Sequence, residues 1–353
     1  MGNGKRWSWI KAAVLPLLAS LAPGFACTAA ADGSATVFEN PVPRTVSPQA
    51  REFIAGLHAP ARLALPDAGD SQGWRRLQQD YETRMGGAVE RIRAQYQPRI
   101  EADAYASVPV LDIRPKGYAV DRRVLVFVHG GGYVLGSATS SMPGSVPLAA
   151  DTGIRIISID YTLAPLVPYD TMVDQVIAVI EALVRAGHPH SSIAVVGVSA
   201  GGGLATGSLL RMRTQGRALP AALVLWSPVT DMAQEGETFT TLGRYEPAFD
   251  VDQVQSMFRI VVPPQRLQDP VVSPIHGRFD GGFPATLIQG GTREALLSGF
   301  VQLYQAIDTQ GGLAKLDLYE GMVHTFQEIR PELPESRLAR QKCAAFLNRY
   351  LQR

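Results

Sequence analysis

The chain of 353 residues predicts an α/β fold: a mostly parallel sheet with helices on both faces. Two observations carry this. Strand-like apolar runs alternate with segments of helical periodicity from about residue 108 onward, and glycine-rich turns end two of those runs, one of them leading straight into a helix. A third agrees with them, because the residues able to do chemistry fall at the carboxyl ends of strands, where open α/β sheets place their sites.

Taken in order, Met1 to Lys11 carries Lys5, Arg6 and Lys11 without an acid, Ala12 to Ala22 is apolar, and small residues crowd Ala26 to Ala31. Residues 1–31 therefore read as a secretory signal peptide cleaved near Ala30 or Ala31, which makes the mature protein secreted or periplasmic. The apolar core falls short of the ~20 residues of a membrane span, so the mature form is expected to have no integral span. Cys27 leaves a lipoprotein anchor as the lesser option, since Gly24-Phe25-Ala26 fits a lipid-attachment box poorly. Asn40-Pro-Val-Pro43 reads as a linker, and Trp74 to Tyr96 as a helix rich in Arg, Gln and Glu.

Val108 to Ile113 is expected as an early strand at an antiparallel edge. Further strands are read at Arg123 to Val128, Ile154 to Ile159, Ile193 to Val196, Ala222 to Trp226, Ala285 to Gln289 and Lys315 to Tyr319. Apolar residues recur at helical spacing over Thr171 to Val184, Ser298 to Thr309 and Glu335 to Leu351. Ser47 to Tyr105 and Asp231 to Pro274 stand outside the alternation.

Composition excludes several classes. Loss of Lys5, Arg6 and Lys11 from 33 basic residues leaves 30 against 32 acidic, so nothing electrostatic favours nucleic acid as a partner. Neither HExxH nor CxxC occurs, and His188-Pro-His190 has no third ligand in view, so no metal is expected. Gly197 to Gly203 lacks the lysine of a phosphate loop. After cleavage Cys343 alone remains, in a helical pattern that predicts core packing.

The most informative stretch is Ser192 to Thr206, where a strand runs through Gly197-x-Ser199-x-Gly201 into a small-residue helix. Such a corner presents a serine hydroxyl as a nucleophile, although a bare GxSxG also fits an ordinary glycine turn. A second turn, His129-Gly130-Gly131-Gly132-Tyr133, ends the run Val124 to Val128; its amides could bond the oxygen that turns negative when a carbonyl is attacked, while His129 itself reads as structural. A base follows by elimination: among six histidines only His324 lies in a loop after a late strand. Glu294 is the only carboxylate between Phe283 and Ile307 and the natural acid, though a glutamate favoured by a helix N-terminus fits it as well.

These residues resemble the hormone-sensitive-lipase-like branch of the α/β hydrolases. The resemblance rests on HGGG at 129 to 132, Asp160-Tyr-Thr-Leu-Ala-Pro165, Gly197-Val-Ser-Ala-Gly-Gly202, Gly291-Thr-Arg-Glu294 and Gly321-Met-Val-His324, and covers most of the chain from about Ser107. It implies a catalytic triad of Ser199, Glu294 and His324, in the order of that superfamily. It also implies an oxyanion hole of the Gly131, Gly132 and Ala200 amides, no cofactor, and a small-molecule ester as substrate. It divides the chain into residues 32–105 as linker and cap helices and 106–353 as catalytic domain, with a further cap insertion at about 231–274; a packing or homodimer surface is the other use for these segments. Three departures stand out: Val198 where aspartate is usual, Glu294 where aspartate is commoner, and Thr162 where arginine is frequent.

Tyr133, Trp226, Val323 and Phe326 are candidate pocket walls because they adjoin the motifs, and core packing explains them equally well. Lactone, carbamate and amide hydrolysis would use the same machinery. A binding-only protein is the reading from another class, as in the plant gibberellin receptor, which has lost the histidine that this chain keeps at 324.

Overall fold

Val124-Leu-Val-Phe-Val128 is buried at every position, which a strand achieves only inside a sheet covered on both faces. A computed structural model describes residues 38–352, so the signal-peptide reading and Cys27 lie outside the described residues. In chain order the elements are α1 (Pro48–Ala55), α2 (Ser71–Tyr96), β1 (Arg99–Tyr105), β2 (Val108–Arg114), β3 (Val124–Val128), α3 (Met142–Thr152), β4 (Arg155–Ile159) and α4 (Tyr169–Arg185). They continue with β5 (Ile193–Val198), α5 (Ala200–Thr214), β6 (Ala222–Trp226), α6 (Glu237–Thr241), α7 (Val251–Val261), β7 (Ala285–Gly291), α8 (Leu297–Thr309), β8 (Ala314–Tyr319), α9 (Phe326–Ile329) and α10 (Pro334–Tyr350).

Eight strands form one sheet in the order β1-β2-β4-β3-β5-β6-β7-β8. β1, β2 and β4 pair antiparallel and every later neighbour is parallel. The register sets Val128 beside Gly197, Val198 beside Trp226, and Gly291 beside Tyr319, so the ends of β3, β5, β6, β7 and β8 converge along one edge. On one face the core is built from residues such as Val126, Val195, Leu223 and Leu204; on the other Phe127, Val196, Trp226 and Leu347 fill it. Each central strand thus gives alternate side chains to two separate cores.

The sheet begins earlier than the sequence indicates. Arg99 to Tyr105, assigned above to the segment preceding the catalytic domain, is a sheet strand that pairs with β2 from Arg99 opposite Arg114 to Tyr105 opposite Val108. Ala106 and Ser107 turn the hairpin with φ of 51° and 66°, the left-handed pair that matches strand twist. Arg99, Glu101 and Asp103 hide this strand from a hydrophobicity reading, because a charged edge strand resists pairing with other chains. Behind it, Asp112 is buried and held by Arg155 Nε at 2.7 Å, and Arg155 also donates to Tyr105.

Helix α2 starts at Ser71, three residues before the predicted start, behind its cap Asp70, which accepts from the Gly73 amide at 2.8 Å. Among the described residues no helix is long and apolar enough to cross a membrane.

Candidate active site

Ser199 sits between the last residue of β5 and the first of α5 with φ 52° and ψ −122°, a strained corner for a residue with a Cβ. Small neighbours make the corner possible: a Cβ at Gly197 would lie 2.6 Å from the Gly201 carbonyl oxygen, and one at Gly201 would strike the carbonyls of Val128 and His129. The corner is pinned by its backbone, since the Ser199 amide donates to Trp226 O and its carbonyl accepts from Val229 N, both at 2.9 Å. Val198, in place of the usual aspartate, is fully buried in the core.

His324 Nε2 lies 2.8 Å from Ser199 Oγ, and His324 Nδ1 lies 2.8 Å from Glu294 Oε2. Three side chains from widely separated loops thus form one hydrogen-bonded line. Glu294 has no solvent exposure; its other oxygen, Oε1, accepts from Ser227 Oγ at 2.8 Å and from the Gly291 amide at 2.5 Å. Ser227 Oγ in turn accepts from Thr325 N at 3.0 Å, which ties the acid loop to the histidine loop. Burial opposes charge on His324. The hydrogen bond and charge of Glu294, with the charges of Glu246 and Glu328, outweigh it and hold the imidazole pKa above its ordinary value.

The HGGG turn faces the serine. Gly131 adopts φ 114° and Gly132 φ 62°, and the Gly131 carbonyl accepts from Val134 and Leu135 amides. Among the described residues the amides of Gly131 and Gly132 donate to no protein acceptor. His129 is structural: its Nδ1 donates to Gly130 O at 2.7 Å, its ring stacks on Tyr161 with centroids 4.2 Å apart, and burial lowers its pKa, so it stays neutral. Thr162, at the frequent arginine position, is bonded through its amide and hydroxyl to the Gln175 side chain.

Over these groups opens a cavity of about 530 Å³, with Ser199, His324, Gly131 and Gly132 in its wall. Leu63, Tyr81 and Met85 line it from the chain before the sheet, and Phe249, Met257 and Phe258 from the insertion between β6 and β7. Phe249 also sets its ring edge-on to the His324 imidazole, centroids 5.1 Å apart. The wall is largely apolar, and both segments that stood outside the strand–helix alternation contribute to it.

The four wall residues named from sequence are a correction. Tyr133, Trp226, Val323 and Phe326 are almost wholly buried and none lines this cavity. Tyr133 packs edge-on against Tyr169 and Phe258, Trp226 against Phe127, and Val323 and Phe326 join Val46, Ile54 and Tyr319 in a separate core. Adjacency in sequence misled because successive residues point opposite ways.

Two carboxyls near the site, the buried Glu246 and the part-buried Glu328, were missed as well. Glu246 accepts from the amides of Ala248 at 3.0 Å and Ala295 at 3.3 Å, joining the insertion to the residue after Glu294; burial pushes its pKa up to about 7 against the pull of His324. Glu328 lines the cavity, and burial drives its pKa up to about 8. Only the polar residue in a predicted buried context could have signalled either. The other histidines lie away: His188 Nδ1 is within 2.7 Å of the Arg122 carbonyl, and His190 and His276 occupy short 3₁₀ turns. Among the described residues no group of three metal-binding side chains occurs.

Residues 125–328 match the model of a family described as having the alpha/beta hydrolase fold. The chain belongs to that family, and within it to the hormone-sensitive-lipase-like branch. An acetyl-hydrolase of Streptomyces hygroscopicus is 32% identical over 280 residues, a match covering 77% of this chain and 93% of the relative. An esterase of Acinetobacter venetianus is 28% identical over 67% of this chain and 82% of its own. Among solved structures, an esterase from the bacterial hormone-sensitive lipase family is 31% identical with a TM-score of 0.73, covering 82% of this chain and 94% of that one. Esterase E25 superposes with a TM-score of 0.82 at 26% identity, over 88% of this chain and 97% of its own.

Proposed function

We propose that this carboxylic ester hydrolase cleaves esters of small to medium acyl size through a Ser199-His324-Glu294 triad and an acyl-enzyme. Ester hydrolysis as such follows from family membership and from relatives named esterase and acetyl-hydrolase. The observation that carries the triad is the unbroken line of 2.8 Å contacts from serine through imidazole to a buried carboxylate. His324 takes the Ser199 proton as Oγ attacks the ester carbonyl, and the Gly131, Gly132 and Ala200 amides bond the oxyanion. The imidazolium, held by Glu294, then protonates the departing alcohol; water activated by the same nitrogen releases the acid and restores the serine. The chemistry calls for no cofactor.

The part of the N-terminal segment that precedes β1 and residues of about 231–274 act as a cap that shapes the pocket, a reading supported by their shared lining of the cavity. Cavity size and apolar walls favour a short acyl chain over a large lipid. Export of the mature chain, with cleavage near Ala30 or Ala31, rests on residues 1–31 of the sequence. Ser199→Ala tests the reading: it should abolish turnover of p-nitrophenyl acetate and covalent labelling by a serine-directed phosphonate while leaving the circular dichroism melt intact. Retained turnover would refute it, and a panel with lactones and amides fixes the bond cleaved.

A further inference from the structure

Glu328 is the only carboxyl among the described residues that line the cavity over Ser199. Nothing in the mechanism above uses it as a reacting group. Its Oε1 is buried against α3, while Oε2 is not enclosed and makes no hydrogen bond among the described residues, and no arginine or lysine pairs with the carboxyl. An unpaired carboxyl oxygen at a cavity wall is free to bond a ligand that enters there. The space around it is shaped for it: α3 carries a glycine at 144, where any Cβ would collide with Oε1 and lie 2.6 Å from the Glu328 Cγ. A glycine inside a helix lowers its stability relative to alanine, so this opening for a carboxyl comes at a local expense.

The surroundings hold the group neutral. Burial disfavours its charge, and His324, the one charge that opposes this, does not outweigh it. From α2, Tyr81, Glu82 and Arg84 face the same region; burial pushes the Tyr81 phenol up to about 12, and Glu82 is engaged with the Ser137 hydroxyl at 2.6 Å. Arg84 lines the cavity but is exposed. From α3 and α10, Asp151 and Arg340 are paired with each other at 2.7 Å, and beyond α9 Arg330 pairs with Glu332. A neutral carboxylic acid is both donor and acceptor, and it is the only carboxyl in this largely apolar wall among the described residues.

We propose that Glu328 is a specificity-determining residue whose carboxylic acid donates a hydrogen bond to an ether, hydroxyl or carbonyl oxygen on the acyl or alcohol chain of the substrate. The preferred substrates are thus oxygen-bearing esters rather than their alkyl isosteres. This rests on the esterase reading above. A site built to bond a substrate oxygen discriminates against the analogue lacking it, because its own polar group is then left unpaired.

Two isosteric pairs test it: p-nitrophenyl methoxyacetate against butyrate for the acyl side, and 2-methoxyethyl acetate against butyl acetate for the alcohol side. The readout is the kcat/KM ratio within a pair, which cancels the titration of His324 because both members share it. Glu328→Leu should lower the ratio about tenfold for one pair, and Glu328→Gln, which keeps a donor, should retain most of it. In the wild type that ratio should decline as the pH rises through about 8, and in Glu328→Gln it should stay flat. Ratios that are unchanged in Glu328→Leu for both pairs, or a wild-type ratio independent of pH, would overturn the proposal while ester turnover leaves the underlying reading standing. Absence of turnover of all four esters, with Ser199 unlabelled by a phosphonate, would overturn both. Should Glu328→Leu fail to fold, Glu328→Gln and the wild-type pH series decide alone.

Discussion

Replacing Ser227 by alanine isolates one hydroxyl that joins the two loops carrying Glu294 and His324. Its Oγ donates to Glu294 Oε1 at 2.8 Å and accepts from Thr325 N at 3.0 Å. The backbone at 227 has φ 49°, but serine and alanine both carry a Cβ there, so the strain is common to both and cancels. What differs is the pair of bonds. A hydrogen bond to a charged group contributes about 1.5–3 kcal/mol, and a buried amide left without an acceptor costs about 1–3 kcal/mol. Ser227→Ala should therefore lower unfolding stability by roughly 3 kcal/mol in urea titrations. About half of that holds the Glu294 and His324 loops in register with Ser199, so misalignment on its loss should lower kcat/KM for p-nitrophenyl acetate about tenfold, at 1.36 kcal/mol per decade. A carboxylate stripped of one donor attracts the imidazolium more strongly, and the acid limb of the pH–rate profile should move to higher pH. Stability within 0.5 kcal/mol of wild type together with an unmoved acid limb would refute the assignment of Ser227 as the support of this pair.

Two further outcomes follow from the same geometry. Gly131→Ala should be far more damaging than Gly132→Ala, because a Cβ at 131 strikes the Leu135 backbone carbonyl while one at 132 meets only the flexible end of Met257 at 2.6 Å. Loss of one oxyanion donor corresponds to about 10²-fold in kcat, so pre-steady-state acylation rates of the two variants should separate by roughly that factor, and equal rates would argue against this amide's role. Glu246 makes stability depend on pH: its folded pKa of about 7 lies above its ordinary 4.5, so the folded state binds the proton more tightly. The contribution is complete below pH 4.5 and is lost as pH rises through 7, roughly 3 kcal/mol in all, and urea midpoints measured from pH 5 to 8 should decline less steeply in Glu246→Gln than in wild type.

The central strands and the glycine corners were legible because their signals are local: Val124 to Val128 needs no partner to be recognised as buried, and Gly197-x-Ser199-x-Gly201 encodes its own turn. Glu294 and His324 were reached through their positions after strands; they lie within hydrogen-bond reach of one another, and His324 also of Ser199. Ser227, Glu246 and Glu328 escaped because their roles exist only across space. Ser227 follows β6 as any turn serine might, and its two partners come from residues 67 and 98 positions away. Charged residues in β1 concealed an edge strand, and the walls of the cavity came from Leu63, Tyr81, Phe249 and Met257, whose placement depends on how two irregular segments fold over the sheet.

Helix α5 behind Ser199 carries glycines at 201, 202, 203 and 207, a composition that would melt in isolation. Each of the four touches foreign backbone or a neighbouring side chain so closely that a methyl group would not fit: Val128 and His129 at 201, Pro228 at 202, Val229 at 203, Val271 at 207. The helix owes its existence to docking rather than to its own preference. Its stability therefore depends on contacts with the ends of β3 and β6 and with the 271 loop, so the placement of the nucleophile is coupled to all three.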